Sequence, residues 1–158
     1  MIPIRLSFGD FAPVIGRIDE DGPLPAPAMA LTVDDGPDPD GTPHLIAALA
    51  AAQAKATFFL CGVRVEQHPA LVQALVDAGH DVYAHGWDHR FFRPAQSDDA
   101  VAAMVRAEAL LQRHRPTPTP YIVRLPYNAG FMSPAMHRAM RRFQPEIQFA
   151  WCSHVLAD

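Results

Sequence analysis

Apolar and polar positions fall along this chain in blocks that read strand, helix, strand, helix. Met29 to Val33 is a short apolar run that stops at Asp34-Asp35-Gly36-Pro37-Asp38-Pro39-Asp40-Gly41, a dense cluster of turn formers. That pattern predicts a buried strand whose C-terminal end carries two carboxylates. An Ala/Leu-rich stretch predicts a helix over 43–53, Ala56 to Leu60 a strand, 69–78 a helix, and His80 to Ala84 a further strand. Asp98 to Gln112 reads as a helix with Asp98 or Asp99 as its N-cap, and Arg115-Pro116-Thr117-Pro118-Thr119-Pro120 ends it. Tyr121 to Leu125 is then a strand, and Ser133-Pro134 resembles an N-cap followed by proline at the first helical position. Behind it Met132, Met136 and Met140 recur every four residues and read as core packing. Ile147 to Cys152 reads as a last strand. Alternation of this kind argues for an α/β fold with parallel pairing and right-handed crossovers.

The chain ahead of the first predicted strand has another character. Residues 21–28, Asp-Gly-Pro-Leu-Pro-Ala-Pro-Ala, are too proline-rich for a helix or a central strand. Residues 1–27 therefore read as an extended lead-in, and 28–158 as one domain. At 158 residues and 49% hydrophobic the chain is long enough for one real core and short for two. The net charge of −4 and the lack of any basic run longer than Arg141-Arg142 argue against a nucleic-acid surface and favour an uncharged or cationic substrate. No segment approaches the length of a membrane span, and the start lacks a basic region followed by an unbroken apolar stretch. As given, the chain reads as cytoplasmic, with no membrane partner. Cys61 and Cys152 have no Cys-x-x-Cys spacing and read as free thiols.

Chemistry gathers where strands are predicted to end, which in α/β folds is where ligands bind. Asp34 and Asp35 follow the first strand, His85 and His89 the third, and Arg124, Pro126 and Tyr127 the fourth. Two histidines four apart reach one ion from a helical turn or a compact loop, and Asp35 would complete a His, His, Asp set with a position left open. Alone, such a histidine pair is more often a surface or core pair, and Asp-Asp-Gly-Pro more often a turn. Agreement of three segments, each carrying side chains that hydrolysis requires, outweighs that.

These segments resemble the polysaccharide deacetylases of the NodB-homology group, carbohydrate esterase family 4. Thr32-Val33-Asp34-Asp35-Gly36-Pro37 is similar to the family's Thr-Phe-Asp-Asp-Gly-Pro, His85-Gly86-Trp87-Asp88-His89 to His-Ser/Thr-x-x-His, and Arg124-Leu125-Pro126-Tyr127 to Arg-x-Pro-Tyr/Phe. Lys55-Ala56-Thr57-Phe58-Phe59 and Ala78-Gly79-His80-Asp81-Val82 are similar to the family's connecting segments. The resemblance implies that Asp35, His85 and His89 hold a divalent metal, usually zinc, and that Asp34 is the general base. It further implies that Arg124 orients Asp34 and that the Tyr127 backbone N–H helps stabilise the oxyanion. The implied activity is removal of an N-acetyl group from an amino sugar, on a chitooligosaccharide or peptidoglycan-type substrate. The implied fold is a distorted (β/α) barrel.

Departures from the family pattern qualify this picture. Gly86 stands where relatives carry a hydroxyl that stiffens the histidine loop, Asn128 where glycine is common, and Asp88 adds a carboxylate between the two histidines that reads first as solvent-facing and second as a support for a histidine. Asp158 looks like the aspartate of a fourth motif, but no Leu-x-His follows to supply the acid; His154 is the best-placed substitute. His44, His68, His114 and His137 read as surface residues, and His80 as part of the loop entering its strand. Typical barrels need at least about 200 residues, and only five or six strands are legible, so the expectation is a barrel lacking its C-terminal strands. A partner or a missing C-terminal segment would then complete it. Two other readings follow: a deacylase of a formyl or other non-sugar amide, and a truncated, inactive metal-binding homologue. Trp87 and Tyr127 are candidates to stack on a sugar face.

Overall fold

The computed structural model describes residues 14–15 and 30–151. Cys152, His154, Asp158 and the proline-rich stretch 21–28 lie outside the described residues.

Among the described residues six strands and five helices alternate, the predicted elements in the predicted order together with a further strand and a further helix, and all strand pairs are parallel. Strands β2 (Thr32–Asp34), β3 (Thr57–Leu60) and β4 (Asp81–Ala84) form one sheet in that order, with Val33 opposite Phe58 and Phe58 opposite Val82. Strands β5 (Tyr121–Val123) and β6 (Ile147–Ala150) form a second sheet with β1 (Val14–Ile15) on its edge. That edge strand falls inside the expected lead-in and is too short to leave a periodic signal. The two sheets do not close into a barrel among the described residues.

The central strands are buried on both faces, as parallel strands covered by helices are. Phe58, Phe59 and Leu60 are at most 2% exposed, and Val82 and Ala84 match them across the register. Helices α1 (Gly41–Ala51), α3 (Pro69–Asp77), α4 (Ser97–Leu111) and α5 (Pro134–Phe143) agree with the expected ones to within a few residues.

Four details differ from the sequence reading. A short helix α2 (Gly62–Gln67) follows β3, unsignalled because its first N–H groups find partners in a distant loop. Neither Asp98 nor Asp99 caps α4: a 3₁₀ turn (Pro94–Gln96) runs straight into the helix, leaving both aspartates in the first turn, where their charge complements the free N–H groups. Ser133 does cap α5, its hydroxyl accepting from Met136 N at 3.3 Å, so Met132 precedes the helix and is 64% exposed while Met136 and Met140 are fully buried. His137 is not a surface residue. It is completely buried on α5, donates from Nε2 to the Phe131 carbonyl at 2.7 Å, and stacks on Phe149.

Candidate metal centre and active site

Asp34 is the last residue of β2, and Asp35 bends out of it with φ 73°, a left-handed conformation that Asp tolerates better than most side chains. The turn is tied to the exit of β3 by Cys61 N donating to the Gly36 carbonyl at 3.0 Å. The two adjacent carboxylates consequently meet different partners. Asp34 Oδ1 accepts from Arg124 Nη1 at 2.8 Å. Asp35 Oδ1 lies 3.3 Å from His85 Nε2 and 2.9 Å from His89 Nε2.

His85 leaves β4 with its N–H still bonded to the Leu60 carbonyl at 2.8 Å, and the residue is 2% exposed. Its Nδ1 donates to the Arg124 carbonyl at 2.8 Å. That bond fixes the proton on Nδ1 and turns Nε2 toward Asp35. His89 comes back to the same point through a compact loop rather than a helical turn, helped by left-handed φ values at Gly86 (75°) and His89 (56°). The ligand atoms of Asp35, His85 and His89 lie within 4.8 Å of one another.

Two imidazole nitrogens and one carboxylate are a donor set that suits zinc, and tetrahedral coordination with bonds of about 2.1 Å would set donor atoms roughly 3.4 Å apart. The 3.3 and 2.9 Å separations of Asp35 Oδ1 from the two histidine nitrogens need only small adjustments to meet that. Hydrogen bonding from His85 holds the Asp35 carboxyl below its ordinary pKa against the opposing effect of burial, and the charges of His89, His85 and Arg64 add to the lowering. Asp35 is therefore ionised near neutrality and ready to ligate.

Arg124 is 4% exposed and donates from a single terminal nitrogen to both Asp34 Oδ1 and Thr32 Oγ1, each at 2.8 Å. Its guanidinium lies over the Phe59 ring at 4.4 Å, and its Nε is buried without a partner. Thr32 is the site residue to which the sequence reading attached no role, although it opens the first motif. Tyr127 is 66% exposed with φ 58°, and its ring lies 4.7 Å from that of His89 and 6.4 Å from that of Phe91. Asp88 is exposed beside Arg90, as expected.

Trp87 turns away from this rim. It packs against Gly62, with the Arg106 guanidinium 3.2 Å from its ring centroid, so of the two aromatics expected to meet substrate only Tyr127 stands beside the ligands. The histidine loop is held by backbone bonds: Gly62 N donates to the Gly86 carbonyl at 3.1 Å and Val63 N to that of Trp87 at 2.9 Å. A Cβ on Gly62 would sit 2.9 Å from Trp87 Cζ3, closer still to Cε3, and 3.0 Å from Ala107 Cβ. Gly62→Ala is accordingly expected to cost about 1–3 kcal/mol of stability through overpacking, read as a lower urea midpoint at unchanged slope. Cys61 is buried beside this segment, and burial, with the nearby Asp35 charge, pushes its thiol up to about 12, so it is an unreactive core residue.

The profile of one protein family, described as polysaccharide deacetylase, matches residues 21–144. The chain is 34% identical over 92 residues to a peptidoglycan-N-acetylglucosamine deacetylase of Bacillus cereus, covering 58% of this chain and 34% of the relative. It is 31% identical over 102 residues to a chitooligosaccharide deacetylase of Sinorhizobium fredii, covering 65% of this chain and 47% of that one. Among solved structures, a family 4 carbohydrate esterase from Streptomyces lividans, in complex with acetate, superimposes with a TM-score of 0.61 at 28% identity, over 82% of this chain and 62% of the esterase. The chain thus spans about a third to a half of the length of these curated relatives.

Proposed function

The chain belongs to the polysaccharide deacetylase family, and from that premise we propose that it hydrolyses the N-acetyl group of an amino sugar in a chitooligosaccharide or peptidoglycan-type chain. Its fold is the family's α/β fold, with no closed barrel among the described residues. The observation that carries the reading is the division of labour between adjacent carboxylates: Asp35 turned to two histidines, Asp34 turned to a buried arginine.

Asp35, His85 and His89 would hold a divalent ion, zinc by the character of the donors, which when bound supplies Lewis acidity toward the acetyl carbonyl and acidifies the attacking water. Asp34 is the base. Arg124 occupies its Oδ1, which leaves Oδ2 to take the water's proton as the oxygen attacks the acetyl carbon. The Tyr127 backbone N–H is the donor assigned to the oxygen that gains charge. When the C–N bond breaks, acetate departs and the leaving nitrogen needs a proton, which in this proposal protonated Asp34 returns. Exposed Tyr127 and Phe91 border the site beside His89 and offer ring faces to a sugar.

The test is acetate release from a panel of N-acetylated oligosaccharides and peptidoglycan fragments by protein loaded with one equivalent of zinc, with formamides assayed in parallel. Acetate from the sugars supports the reading. Formate alone moves the substrate to a non-sugar amide, and zinc binding with no release from either set overturns the hydrolase assignment for this chain.

A further inference from the structure

The candidate site straddles a seam. Its ligands Asp35 and His85 leave the first sheet, whereas Arg124 leaves the second, and β4 and β5 lie against each other without a shared backbone ladder. Side chains satisfy the facing edge of β4 instead. Ala84 N donates to the Tyr121 hydroxyl oxygen at 3.0 Å, and the Val82 carbonyl accepts from Arg115 Nε at 2.9 Å and Nη2 at 2.7 Å.

Glu108 of α4 ties these groups together. Its Oε2 accepts from the Tyr121 hydroxyl at 2.7 Å and from Arg115 Nη2 at 3.0 Å. Its Oε1 accepts from Arg115 Nη1 at 2.5 Å and from the Thr117 hydroxyl at 3.0 Å. Glu108 is 2% exposed, and four hydrogen bonds to one carboxylate are what a charge at that depth requires. Tyr121 has no freedom to leave: its ring is fully buried, edge-on to Tyr83 and Phe143 at 5.2 and 5.0 Å.

Ala84 directly precedes His85 in the chain. The segment 121–124 therefore grips the ligand-bearing end of β4 twice, through the Tyr121 hydroxyl on Ala84 N and the Arg124 carbonyl on His85 Nδ1. We infer that Tyr121, held by Glu108, is a positioning residue for His85: its hydroxyl stands in for the missing ladder bond at the seam and sets where the imidazole stands. Neither residue is among the converging ligand atoms, so both act through the backbone. The inference rests on the reading of Asp35, His85 and His89 as a metal site.

Zinc titration of wild type and Tyr121→Phe tests it. Phenylalanine keeps the ring contacts and removes the hydroxyl, leaving Ala84 N without its acceptor. The expected result is a loss of zinc affinity of about 10–100-fold, the range for groups that orient metal ligands. Val72→Ala, in the fully buried core of α3, is the control: it lowers stability and should bind zinc as wild type does. Hydrogen exchange of the wild-type protein is the second measurement and holds even if Tyr121→Phe does not fold. By reciprocity, zinc should slow exchange at Ala84 by a larger factor than at Leu75 of α3. Unchanged affinity in Tyr121→Phe, an equal loss in Val72→Ala, or equal slowing at Ala84 and Leu75 overturns the inference. Failure of the wild type itself to bind zinc would instead overturn the metal reading.

Discussion

Asp34→Asn is expected to lower kcat by about 10²–10⁴-fold, the usual contribution of a positioned general base, with zinc affinity unchanged. Asparagine keeps the size of the side chain, and its carbonyl oxygen still accepts from Arg124 Nη1, so the bond seen at 2.8 Å survives in a neutral form. What disappears is the ability to take a proton from water. The residues proposed to hold zinc are untouched, because Asp35, not Asp34, faces His85 and His89. The Asp34 side chain is 36% exposed, and weakening a partly solvated ion pair to a neutral bond costs on the order of 1 kcal/mol or less. Initial rates on an N-acetylated oligosaccharide, with zinc titration of the same preparation, separate the outcomes. A kcat within tenfold of wild type would remove Asp34 from the base role. Joint loss of rate and zinc would place it among the ligands.

How far this site could be read in advance depended on the range of the interactions involved. The strands announce themselves because apolar runs such as Ala56 to Leu60 end at turn-forming residues, a purely local signal. The carboxylates, histidines and arginine were legible because each follows such a run, and parallel strands carry their C-terminal ends to one side. What stayed hidden is set by partners distant in sequence. Helix α2 forms where Gly62 and Val63 donate to carbonyls of residues 86 and 87, and nothing in its six residues states that. Trp87 reads as a candidate sugar-stacking ring until Gly62 and Arg106 are seen against it. Glu108 falls on a helix and Tyr121 in a strand that look like ordinary core elements; their joint grip on Ala84 exists only because β4 and β5 fail to pair. Asp158 and His154, which the sequence reading connected with the acid step, lie outside the described residues.

Arg124 joins the two halves of the chemistry by different atoms, and this makes them separable. Its guanidinium holds Asp34 and Thr32, while its main-chain carbonyl holds His85 Nδ1. A side-chain substitution removes the first set of bonds and leaves the second in place. Arg124→Met is expected to reduce kcat by about 10–100-fold, the equivalent of one charge-assisted hydrogen bond of about 1.5–3 kcal/mol expressed as rate, because Asp34 loses the group that aims it. Methionine is apolar enough to rest on the Phe59 face that the guanidinium now covers, and the change also removes a buried Nε that has no partner. Zinc affinity should therefore persist, since the carbonyl that fixes the His85 tautomer is independent of side-chain identity. Rate and affinity measured together decide the matter. If zinc binding falls with kcat in a variant that still unfolds cooperatively in urea, then the guanidinium and not the carbonyl organises the metal side, and the division between the two halves of Arg124 does not hold.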